Sequence, residues 1–104
     1  MTDLTKRRAI RSDAIRKAAN GEACTWPGCG AMDGTVICAH SNLSVHGKGR
    51  GIKSDDVFVA FLCSTHHRML DESHISKNEK EWNFMRAMSN TIRILWDRGI
   101  IGEI

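Results

Sequence analysis

The sequence predicts a single small α+β domain: two short strands stapled by a metal ion and flanked by helices. Three observations carry that expectation. Two close pairs of soft ligands, Cys24-x4-Cys29 and Cys63-x2-His66, bracket the middle of the chain. Two short apolar runs, "TVICA" and "VFVAFL", lie between the pairs and have strand character. Beyond them an apolar residue recurs every three or four positions, the period of an amphipathic helix. At 104 residues the chain fits one domain, running 1–104. So short a chain buries a small core, and a metal staple would supply much of its stability.

Taken in order, residues 1–11 form a basic arm, 12–75 the core and 76–98 a C-terminal helix. "SDAIRKAANG" reads as a short helix, with Ser12 or Asp13 as its cap and Gly21 as its end. "CTWPGCG" is a tight turn in which Pro27 and Gly28 supply the bend. "TVICA" is the first strand, closed by His40. The polar, Gly-rich "SNLSVHGKGRGIKSDD" is a loop, and "VFVAFL" is a second, buried strand. A helix is expected from Ser64 or Thr65 to about Glu72. Ser76 and Glu79 make an S-x-x-E capping box for the last helix, which Gly99 can terminate. Its stripe of Trp82, Met85, Met88, Ile92, Leu95 and Trp96 reads as the core-facing side.

Hydrophobic content of 41% with 26% charged residues excludes a wholly disordered chain. "VFVAFLC", the longest apolar run, is far short of a membrane span. "MTDLTKRRAIRSD" is polar throughout and has no signal-peptide pattern, so a cytoplasmic protein with no membrane partner is expected. In a reducing compartment the four cysteines are expected as metal ligands or free thiols rather than disulfides. The net charge of +3 is uneven: residues 1–23 hold six basic against three acidic side chains, and the remainder is neutral. A basic arm on a neutral body suits a polyanion such as DNA. Arg7, Arg8 and Arg11 on the arm, and Lys48, Arg50 and Lys53 in the Gly-rich loop, are the candidate phosphate contacts. A merely solvated tail and loop is the plain alternative.

The stretch "LCSTHHRMLD" packs a cysteine, two histidines and an aspartate into ten residues. Zinc takes four ligands in a tetrahedron, and Cys24, Cys29, Cys63 and His66 supply them from two turns. The alternative is buried thiols and a surface histidine. Cys38, inside a strand, reads as a small apolar filler. His67 is then left over, and Asp71 stands four residues on, the spacing of one helical face. Together they could hold a second ion, with His74 as an extra ligand or a simple helix-end residue. A strand-end His40 opposite a helical His-x3-Asp suits metal-assisted phosphodiester cleavage, with a neutral histidine taking a proton from water. Scattered surface histidines are the competing reading.

"VICAHSN", the Gly-rich loop and "DDVFVAFLCSTHHRMLD" together resemble the HNH branch of the His-Me finger (ββα-metal) endonucleases. The segment from about 14 to 75 is most similar to the small phage- and prophage-encoded HNH proteins of the YbcO-like type. The resemblance implies a ββα-metal core and a metal-dependent, phage-related DNA endonuclease in a bacterial host cell. His40 matches the first catalytic histidine. Asp56 stands at the Asn/Asp position that braces the loop and orients His40 by a hydrogen bond. His67 matches the last histidine of the motif, a metal ligand, and Asp71 the ligand one turn on. Cys24, Cys29, Cys63 and His66 match a structural zinc set, with His66 where a second cysteine usually stands. The implied catalytic cation is Mg²⁺ or Mn²⁺. One departure stands out: many HNH enzymes carry a metal ligand just before the catalytic histidine, and here that residue is Ala39. Either His67 and Asp71 hold the ion alone, or His40 is itself a ligand and His46 is the next candidate base, or the site binds DNA without cutting it. A non-catalytic zinc-stabilised DNA-binding module and a phage adaptor protein are the rival functions.

Overall fold

Ser12 starts the first helix. Its backbone is extended, and its side chain accepts the amide of Ile15, satisfying one of the free N–H groups of the first turn. In the computed structural model, which describes residues 9–72 and 74–102, this helix α1 covers Asp13–Lys17. Arg7 and Arg8 lie outside the described residues.

Strand β1 runs Ile37–His40 and pairs antiparallel with β2, Val59–Leu62. The register sets Ile37 opposite Leu62, Cys38 opposite Phe61, Ala39 opposite Ala60 and His40 opposite Val59. Both strands are shorter than the apolar runs that announce them: β1 leaves out Thr35 and Val36, and β2 leaves out Val57 and Phe58, which lie in a turn and a bend. The segment between them is more ordered than a plain loop. It holds a 3₁₀ turn at Ser44–His46, a bridge between Gly49 and Ile52, and the buried Ser54, Asp55 and Asp56. Helix α2 covers Ser64–Met69 and α3 covers Lys77–Asp97.

Every residue of β2 is buried, and α3 lies along it. The outer edge of β2 is closed by polar groups. Thr25 N–H donates to Phe61 O at 2.7 Å, and Phe61 N–H donates to Thr91 Oγ1 at 3.1 Å. Thr91 also donates to Ala87 O and meets Thr25 Oγ1 at 2.9 Å. A bare strand edge is thereby satisfied from within the fold. Thr91→Val keeps the shape but strands the Phe61 amide. We expect a loss of about 1–3 kcal/mol, the cost of an unpaired buried donor, read as a shifted urea midpoint with unchanged slope.

All three helices differ from the sequence expectation in extent or facing. Helix α1 stops at Lys17, with Ala18 as its C-cap, short of the expected end at Gly21. Helix α2 ends at Met69 rather than near Glu72: Leu70 caps it, and Asp71 N–H bonds to Arg68 O in a tighter turn. Lys80 of α3 closes this end by donating to Leu70 O and Glu72 O. Helix α3 also turns a different face inward. It buries Phe84, Ala87, Met88, Thr91 and Leu95, while Trp82, Met85, Ile92 and Trp96 stay exposed. The expected stripe mixes two arcs, of which only Met88 and Leu95 belong to the core. The ends of α3 are as expected. Ser76 Oγ accepts Glu79 N–H. Gly99, at φ 71°, lets Ile100 N–H reach Leu95 O and its own N–H reach Trp96 O. Among the described residues no helix is long and apolar enough to cross a membrane.

Candidate metal centre

Cys24 and Cys29 sit on a knuckle closed by its own backbone. Cys24 N–H donates to Ala31 O, Cys29 N–H to Trp26 O and Gly30 N–H to Cys24 O. Gly28 and Gly30 take positive φ there, which a side chain would resist. Cys63 is the N-cap of α2. Its sulfur makes no cap bond, and the free amide of Ser64 is taken up by Thr35 Oγ1 at 3.0 Å. The cysteine is thus released from capping. One helical turn later, His66 aims Nδ1 back at the knuckle, 3.6 Å from Cys24 Sγ and 3.3 Å from Cys63 Sγ. Its ring stacks on Trp26, centroids 5.1 Å apart and planes 11° from parallel.

The ligand atoms of Cys24, Cys29, Cys63 and His66 all lie within 4.8 Å of one another, and these four could hold a metal ion. A tetrahedral Zn–S site with bonds of about 2.3 Å has edges of roughly 3.8 Å, so small side-chain movements close the cluster on an ion. Three thiols and an imidazole form a donor set compatible with structural zinc. Burial pushes the Cys24 thiol up to about 11. Burial also acts on Cys63, but the backbone amide of His66 and the neighbouring Cys24 and Cys29 thiols outweigh it and hold Cys63 below the ordinary thiol value. Burial lowers His66, which keeps the imidazole neutral and its lone pair available. Cys38 stands apart: its thiol donates to Ile15 O and burial raises it to about 11, an inert packing residue.

A second polar centre is built around Asp56, which is fully buried. His40, the last residue of β1, places Nε2 2.8 Å from Asp56 Oδ1, so the bond expected between these two residues is present. Ser12 N–H donates to Oδ2 at 2.7 Å, while Arg11 and Arg16 each approach to 3.5 Å. Burial alone would raise the carboxyl. The His40 and Ser12 hydrogen bonds, with the Arg16 charge, reverse that and hold Asp56 below the ordinary carboxylate value. A group depressed in the fold stabilises it above the unfolded value of about 3.9, and that contribution disappears as pH falls through the folded value. Acid unfolding is therefore expected to begin below about pH 4, and Asp56→Asn should flatten the acid limb, followed by circular dichroism.

His67 and Asp71 are both exposed; α2 ends at Met69, so Asp71 lies in the turn beyond the helix. Among the described residues, the group of three or more possible ligands that could hold an ion is the Cys₃His cluster. His46 is a packing residue: it is buried, stacks on Phe58 at 4.2 Å and meets Ser41 Oγ at 2.6 Å. His74 is solvent-facing and pairs with Glu72. Lys48, Arg50 and Lys53 are exposed. Arg11 is not a free cation, since its guanidinium donates to Ser54 O at 2.7 Å and Lys53 O at 3.0 Å. Sequence reasoning missed Trp26, Arg16 and Thr91, and of Ser12 it saw the helix cap but not the bond to Asp56. Trp26 carried a signal, an aromatic inside the cysteine knuckle. The others carried none, because their partners are 30 or more residues away in the chain, apart from the contacts within their own turns.

No family model, no curated protein and no solved structure matches the chain.

Proposed function

We propose that this protein is a phage-related, metal-dependent DNA endonuclease of the HNH type, with zinc held by Cys24, Cys29, Cys63 and His66. One observation carries the reading. A strand-end histidine is oriented by a buried carboxylate, beside a hairpin whose far end is built for a metal. With Nε2–H donated to Asp56, His40 keeps its lone pair on Nδ1, the form a general base needs. In this proposal His40 Nδ1 takes a proton from water, the water oxygen bonds to phosphorus, and the P–O3′ bond breaks. The departing O3′ takes a proton from solvent and His40 later returns its own to solvent, so the products carry a 5′-phosphate and a 3′-hydroxyl. His67 and Asp71 would hold Mg²⁺ or Mn²⁺, which supplies charge stabilisation at the leaving oxygen. The exposed Lys48, Arg50 and Lys53 suit phosphate contacts that position DNA without reading its sequence.

A second reading has its own observation. Ala39, which stands where many HNH enzymes carry a metal ligand, is 2% exposed and packed in the core. This favours a zinc-stapled DNA-binding module that does not cut. Supercoiled and branched DNA, incubated with Mg²⁺, Mn²⁺ or EDTA, separates the two. Metal-dependent nicking or linearisation is the expected result. Retarded but intact DNA under all three conditions replaces the nuclease reading with the binding module.

A further inference from the structure

Helix α3 carries more apolar surface than its own fold consumes. Trp82, Met85, Ile92 and Trp96 are 67%, 36%, 38% and 59% exposed. With Ser89 they fall at intervals of three, four, three and four residues, the a/d spacing of a helix-pairing seam. This seam lies beside the buried arc, so one helix presents two apolar faces. Taking about 250 Å² for a whole tryptophan, the seam leaves roughly 400 Å² of apolar surface per chain in water. Two such seams, with the flanking Asn78, Arg86 and Arg93, would bury about 1,200 Å² in total, the lower edge of stable interfaces.

A cavity of about 220 Å³ opens beside the N-terminal half of the same seam, lined by Leu43, Leu70, Phe84 and Met85 with Lys77 and Lys80 among its walls. Met85 belongs to both features. The chain thus carries a large exposed knob, Trp96, near one end of α3 and an apolar hole near the other. The knob is also held in place. Gly102 packs so closely on Trp96 that a Cβ there would meet Cζ3 at 2.7 Å. A ring fixed before association loses little freedom on docking.

We propose that α3 is the interface of a symmetric, antiparallel dimer of this chain, in which Trp96 fills the cavity beside the partner's Met85. Antiparallel a/d layers set Trp96 beside Met85 and Ile92 beside Ser89, each twice across a two-fold axis, so every large side chain meets a small or flexible one. A parallel pairing would stack Trp82 on Trp82, align Ser89 with Ser89 and leave both cavities unfilled. The antiparallel arrangement is self-complementary, as a closed two-fold interface must be, and it sets opposite helix-dipole ends side by side. It does not depend on the nuclease reading, since its readout is mass rather than cleavage.

Sedimentation velocity and light scattering at micromolar protein should give twice the 11.6 kDa chain mass. Trp96→Glu on the knob and Met85→Glu at the hole should each weaken association at least about 30-fold, as loss of an interface anchor does. Both positions face solvent in the single chain, so the melting curve and zinc content should be retained, and these controls make a monomeric result interpretable. Trp82, which this register carries past the end of the partner's helix to its Gly99, should tolerate Ala with less than about a tenfold loss. A wild-type monomer throughout this range overturns the proposal, as does a Trp96→Glu variant that stays dimeric. A monomeric wild type whose affinity for single-stranded DNA falls on Trp96→Ala would overturn it in favour of a base-stacking surface.

Discussion

Cys24→Ser and Cys63→Ser are expected to lose the bound metal and the fold together. Both residues are only 3% exposed, and between them the cluster joins the knuckle to the junction of β2 and α2. Structural zinc contributes apparent free energies of about 10–16 kcal/mol in small peptides. A whole domain is stable by only about 5–15 kcal/mol. Removing one of four ligands therefore costs a share that so small a core cannot replace. Elemental analysis of wild-type protein purified without added metal should find about one tightly held zinc per chain. The serine variants should show little, with a broad, early thermal transition. His66→Ala should follow them, because its Nδ1 faces Cys24 and Cys63, whereas His67→Ala should retain the metal. A well-folded wild-type protein without zinc would remove the staple from the account.

The second large effect concerns cleavage. His40→Ala should reduce it by roughly 10²–10⁴-fold, the ordinary contribution of a positioned general base, while zinc content stays at the wild-type level. Some stability is lost with it, about 1.5–3 kcal/mol for a hydrogen bond to a buried charged group. The fold survives, because Asp56 keeps the Ser12 amide and the Arg11 and Arg16 guanidinium groups. Asp56→Ala is harsher, leaving those donors and His40 without their shared acceptor, so activity and stability should fall together. His67→Ala and Asp71→Ala should lower activity without lowering zinc, with partial rescue by high Mn²⁺. A His40→Ala variant as active as wild type on every DNA form would remove His40 from the chemistry. His67 losing zinc on substitution would return it to the structural cluster.

The Cys₃His cluster was legible because its information is local. Each ligand pair lies in one turn, and the knuckle and helix cap hold them whatever else the chain does. The starts of α1 and α3 were legible for the same reason: Ser12 and Ser76 cap amides three residues on. The hydrogen bond between His40 and Asp56 was anticipated through the resemblance, not from spacing, since 16 residues of chain separate them.

By itself, the sequence determined where the helices start, where the strands lie and which four side chains could hold a metal. These follow from contacts within a turn or from a two-residue period. Tertiary structure alone decided three other things. Asp56 became the buried hub of α1, β1 and the arginines only once Ile10, Arg11 and Ser12 packed against residues 54–56. Helix α2 stopped at Met69, with Lys80 of α3 closing its end. The inward face of α3 was chosen by Thr91 meeting the open edge of β2 at Phe61. A helical period reveals that apolar residues share an arc. Where two arcs adjoin on one helix, only the surface packed against it selects which one leaves water.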